Sequence, residues 1–160
     1  MAVKSVSVSA SLTLEFETQV SGFDPRKQRS GVSLPADPID PETLNQGLAK
    51  TYTIAASATQ VVDFYSITNP NGDAASCVKL RSVLVTVSGE SAKVKIEPDG
   101  TNPLAWPFSG TDPAITIDAP GGILLKNGAN VTLSSTVRRW LLTNTGSGTA
   151  TVKLIASLGT

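Results

Sequence analysis

Between Val6 and Phe16 the chain alternates without a break. Val6, Val8, Ala10, Leu12, Leu14 and Phe16 are apolar, and Ser7, Ser9, Ser11, Thr13 and Glu15 are polar. A period of two puts one set on each face of a β-strand, so this pattern predicts a strand with one face to bury. The run is long against a usual strand of about 5–6 residues. A long alternating strand near a chain end needs a sheet to join. Residues 1–20 therefore read as an arm that adds to a neighbouring subunit, with Val6, Val8, Leu12, Leu14 and Phe16 as its contact face.

The alternation stops where prolines begin. Residues 21–47 carry Gly22, Pro25, Gly31, Pro35, Pro38, Pro41 and Gly47, with a basic cluster at Arg26, Lys27 and Arg29. Proline locks φ and removes a donor, so the expectation is an extended linker with no sheet ladder through it.

Periodicity returns in residues 48–160. Strands are expected at Leu48–Ala56, Gln60–Thr68, Val78–Val87, Ala92–Ile96, Ala114–Asp118, Ile123–Lys126, Val131–Leu133, Val137–Thr143 and Thr151–Ala156. Ser88–Ser91 and Asn127-Gly128 read as hairpin turns, and Asn144–Gly148 as the turn joining the last two strands. A long loop from Pro98 to Pro113 interrupts the series. No amphipathic helix pattern is present. The spacing of short strands and turns is that of an all-β antiparallel sandwich or barrel, with an N-terminal arm.

Composition supports this class. The chain has 160 residues, with 18 Ser, 18 Thr, 13 Gly and 10 Pro, and only 16% of it is charged. Thr and Val suit the pleat, and Gly, Pro and Asn supply turns. Sparse charge also suits surfaces on which subunits meet. The charge balance is 13 to 13, which gives no electrostatic footprint for nucleic acid or an anionic membrane. No apolar run is long enough to span a bilayer as a helix, and residues 1–19 do not read as a secretory signal.

The same count limits the chemistry. The chain has no His and a single cysteine, Cys77. Imidazole-based catalysis and a His-ligated metal are therefore excluded, and one thiol cannot close an intrachain disulfide or build a cluster site. No pair of carboxylates stands out for glycosidase work; Glu15, Glu17, Glu42 and Glu97 are scattered. Asp73, Asp99, Asn102 and Asp112 lie in loops, where turn chemistry accounts for them better than calcium. The expectation is no enzyme activity, no cofactor and no metal.

Two further groups are candidates for contact. Leu104, Trp106 and Phe108 form an aromatic loop that either folds over the end of the sandwich, meets a subunit, or stacks on a sugar ring. Arg138 and Arg139 precede Trp140. Alternation sets Arg138 on the face of Trp140, so one arginine is expected to be paired, over the tryptophan, or at an interface. Together with Arg26, Lys27 and Arg29, Arg138 is a candidate interface charge.

The chain resembles small virion proteins of tailed bacteriophages, namely head decoration or cement proteins and related head and tail accessory proteins. The resemblance is carried by Val3-Lys4-Ser5-Val6-Ser7-Val8-Ser9, the proline-rich arm, Ile117-Asp118-Ala119-Pro120-Gly121-Gly122-Ile123-Leu124-Leu125, and the ending from Leu141 to Leu154. It implies a jelly-roll-like β-sandwich that stabilises a capsid, forms a homo-oligomer (a trimer is the first expectation), binds the major capsid or another virion protein, and resides in the virion after synthesis in the host cytoplasm. The resemblance supplies no catalytic residues. The alternative is a carbohydrate-binding β-sandwich module of a tail or adhesion protein.

Overall fold

The structure is a computed structural model that describes residues 11–18, 26–33, 46–68, 72–110 and 113–160. Every regular element among them is a β-strand. They fall into two compact units. One, within Ser5–Ile39, holds β1 and β2; the other, within Asp40–Thr160, holds β3 to β12.

In the first unit β1 (Ser11–Thr18) pairs antiparallel with β2 (Arg26–Ser33). This corrects the expectation that no ladder runs through residues 21–47. The reason is local: β2 occupies the proline-free window between Pro25 and Pro35. The register sets Glu15 opposite Arg29, Glu17 opposite Lys27 and Thr18 opposite Arg26. Opposite charges at directly opposed positions favour an antiparallel pair.

The second unit contains β3 (Gln46–Ile54), β4 (Thr59–Asp63), β5 (Ser66–Thr68), β6 (Ala74–Ser76), β7 (Lys79–Ser88), β8 (Lys93–Pro98), β9 (Ile115–Asp118), β10 (Gly121–Thr132), β11 (Arg139–Asn144) and β12 (Ala150–Gly159). Two four-stranded sheets have the orders β10-β7-β12-β3 and β4-β11-β8-β9, and β5-β6 is a separate small hairpin. All ladders are antiparallel. With that hairpin set aside, β3 pairs with β12, β4 with β11, β7 with β10, and β8 with β9. First pairs with last, inward to the middle. The body is thus one long antiparallel ribbon folded into two facing sheets, which is the jelly-roll arrangement.

The core lies between the sheets and follows the alternation. Val83, Val85 and Val87 of β7, Val94 and Ile96 of β8, Trp140 and Leu142 of β11, and Val152, Leu154 and Leu158 of β12 are all buried. A fully buried Val or Leu contributes roughly 1.5–3 kcal/mol of transfer free energy, so these rows carry most of the stability of the body.

Three expected boundaries change. Gln60–Thr68 is broken at Phe64-Tyr65, because Asp63 Oδ1 accepts from the backbone N–H of Tyr65 (2.9 Å) and of Ser66 (3.0 Å) and turns the chain. Ser88–Ser91 is not a hairpin; it carries the chain from one sheet to the other, as does the turn expected at Asn144–Gly148, which joins the last two strands. Asn127-Gly128 is not a turn either. It lies in β10, where the pairing with β7 slips between Lys126 and Val131, so the chain runs on along the same partner strand instead of reversing.

Candidate functional site

The aromatic loop is the tip of the folded ribbon, between β8 and β9. It turns inward over Trp140. The indole Nε1 of Trp140, fully buried, donates to the carbonyls of Leu104 (3.2 Å) and Trp106 (3.0 Å). Leu104 is buried, and Trp106 and Phe108 are half-buried. Trp106 stacks on Trp140 at 6.1 Å and 25°, while Phe108 and Phe64 meet it edge-on at 5.5 and 4.8 Å. Each such pair adds about 0.5–1.5 kcal/mol beyond area burial. The backbone fastens the loop as well, with Leu104 N donating to Arg139 O and Arg139 N to Asn102 O, both at 2.9 Å. Of the readings open for Leu104, Trp106 and Phe108, the geometry matches a plug closing one end of the sandwich.

The arginine pair is organised by a residue the sequence reading overlooked. β11 starts at Arg139, so strand alternation does not extend back to Arg138 and does not set it beside Trp140. Arg139 Nε donates to Asp63 Oδ2 at 3.0 Å, and Arg138 Nε sits 3.3 Å from the same oxygen without the alignment of a hydrogen bond. Arg138 Nη1 also reaches Ser66 Oγ at 3.5 Å, and its guanidinium lies 5.8 Å from the ring centre of Tyr65. The arene under Arg138 is thus Tyr65, not Trp140. Asp63 both turns the chain after β4 and neutralises one of two guanidinium charges. Its acid character was visible in the sequence; its partners, about 75 residues away, were not.

Asn144 is a second missed centre. It reads as a turn former, yet it is buried at the end of β11. Its Nδ2 donates to the carbonyls of Ile54 (3.0 Å) and Gly148 (2.7 Å), and its Oδ1 accepts from the N–H of Gly146 (3.0 Å) and Lys93 (3.4 Å). One amide therefore ties β3, β8 and the β11–β12 crossing together. Glycine is required beside it: a Cβ on Gly148 would overlap the Glu90 carbonyl oxygen, and one on Gly146 that of Ser91.

The arm residues divide. Val6 and Val8 lie outside the described residues. Leu12, Leu14 and Phe16 occupy alternate positions of β1, opposite Val32, Ser30 and Gln28 of β2. Arg26, Lys27 and Arg29 are the positions of β2 that face Thr18, Glu17 and Glu15 across the ladder.

Of the loop acids, Asp99 Oδ2 accepts from the N–H of Asn102 at 3.4 Å, a turn contact, and Asp112 lies outside the described residues. Glu97 pairs with Lys95 at 2.8 Å. Cys77 is buried, and burial pushes its thiol up to about 11. No cluster of three metal-ligating side chains and no helix long and apolar enough to cross a membrane is found among the described residues. A shallow recess of about 420 Å³ along β5 and β6 is lined by Ser66, Ile67, Thr68, Ala74, Ala75 and Ser76, none of them charged.

No protein-family model matches the chain, and no curated protein matches it. Among solved structures, an unassembled VP1 pentamer of Washington University polyomavirus, a mutant form, aligns over 99% of both chains at 7% identity, with a TM-score of 0.14. A likeness of that size carries no argument about function.

Proposed function

We propose that this chain is a non-enzymatic structural protein of a virus particle, in the manner of a tailed-phage head decoration protein. In this reading it forms a homo-oligomer, three copies being the first expectation, and stabilises a shell built by a capsid protein. The N-terminal ribbon makes the contact between subunits, through Leu12, Leu14 and Phe16 together with the preceding Val6 and Val8. Arg26, Lys27, Arg29 and Arg138 supply charge at the contacts.

The observation that carries the reading is the pairing of a jelly-roll body with a second, two-stranded unit whose apolar residues alternate along β1. A two-stranded ribbon is marginal in water by itself and gains stability by packing on another surface. A fold alone does not assign a function, since the jelly roll serves capsids and lectins alike. What favours the structural reading is the aromatic loop: one face of Trp106 and the edge contact of Phe108 are taken up by Trp140, which leaves less ring surface for a sugar.

Quantitative mass spectrometry of purified particles from the source of the chain tests this. The expected result is the chain present in fixed proportion to the capsid protein, retained through density-gradient purification. Its absence from particles, with abundance in the infected-cell lysate alone, would contradict the proposal.

A further inference from the structure

We infer that β10 is a docking strand through which two copies of this chain pair edge to edge, antiparallel, about Leu124. This contact goes beyond the arm-mediated assembly proposed above and uses a different surface, so either can fail without the other.

Three observations converge on it. First, β10 ends its sheet: among the described strands it pairs with β7 only. The opposite edge presents a row of backbone donors and acceptors, which natural edge strands blunt with proline, charge or a bulge. Here the bulge comes only after Lys126, and Gly121–Lys126 contains no proline and a single charge.

Second, this segment is apolar on both faces. Ile123 and Leu125 are paired with Val85 and Val83 and belong to the core side; Leu124 is paired with Leu84 on the outer side. All three are half-buried. A consecutive apolar run belongs to a strand covered on both faces, not to a solvated edge. The outer side also continues as a row: Leu124 is paired with Leu84, Leu84 with Ile155, and Ile155 with Ala49. Ile155 in the middle of that row is 51% exposed.

Third, the segment is complementary to itself, which is why the occupant is a second copy. An antiparallel pair centred on Leu124 sets Leu124 against Leu124 of the other copy, and Ile123 against Leu125. Lys126 then meets Gly122. No like charges oppose each other, and the lysine faces a residue with no side chain. The two apolar rows would join into one, and two four-stranded sheets would become eight-stranded.

Oxidative cross-linking of the full chain tests the register. Opposed Cα atoms in an antiparallel pair lie about 4.5 or 5.5 Å apart, within the span of a disulfide. Leu124→Cys should therefore yield a covalent dimer under mild oxidation. Thr86→Cys is the control: it lies on the same outer side but one strand inward, opposite Gly122, so its mate would be about 20 Å off, three strand spacings across and four residues along, and out of reach. Native Cys77 does not compete, being buried and held as a thiol. The expected result is dimer formation roughly ten-fold faster for Leu124→Cys than for Thr86→Cys. Leu124→Lys should in addition weaken self-association about ten-fold in sedimentation, since like charges would then oppose each other. Equal rates for the two cysteine variants would overturn the inference. So would a Leu124→Cys chain that cross-links to Leu14→Cys of another copy in preference to itself, which would name the arm as the occupant of this edge.

Discussion

Asn144 has no accessible surface, and all four hydrogen-bonding positions of its amide are used. A buried polar group is tolerated only when satisfied, and its removal strands its partners. Asn144→Ala would leave the carbonyls of Ile54 and Gly148 and the N–H groups of Gly146 and Lys93 without that partner. The expected cost is about 2–4 kcal/mol, read as a fall in the urea midpoint at unchanged slope. Asn144→Asp should cost more at neutral pH than the alanine variant, because a carboxylate would face two carbonyl oxygens where the amide donates. Asp63 works by the same logic nearer the surface, where one carboxylate serves a turn and two arginines.

At the scale of elements, the β8–β9 loop and strand β11 form one unit. Trp140 is clamped by the carbonyls of the loop and by the rings the loop carries. Trp106→Ala should cost about 2–3 kcal/mol in unfolding, less than a fully buried tryptophan because Trp106 is half-exposed. The oligomeric state should be unchanged. Loss of assembly at unchanged stability would instead make this loop a subunit contact. Alternation made β7, β8, β11 and β12 legible, because each has one face in the core and period two reports that. It does not report which sheet a strand joins. Hence Ser88–Ser91 looked like a hairpin although it crosses between sheets. Asn127-Gly128 failed for a related reason: a turn signal does not say whether the chain reverses or, as in β10, runs on past a slip in the ladder. The β2 strand was hidden because flanking prolines dominate the local composition. The Asp63 cluster was illegible because its members meet only through the pairing of β4 with β11.

At the scale of the whole molecule, the nested ladders make the body self-sufficient: the two ends of the ribbon meet where β3 pairs with β12, and the tip is sealed by its own aromatics. The N-terminal ribbon has no such closure within its two strands. That asymmetry underlies the assembly reading, since the apolar positions of β1 need a surface that two strands cannot supply. With 18 Ser and 18 Thr among 160 residues, the chain is rich in residues that suit strands and the turns between them. The most direct test of the central claim is mass photometry of the full chain beside a Leu14→Asp/Phe16→Asp double variant at matched concentration. The account predicts a discrete oligomer for the native chain, and for the variant a shift to smaller species with the thermal unfolding of the body unchanged. An identical distribution for both proteins would contradict it.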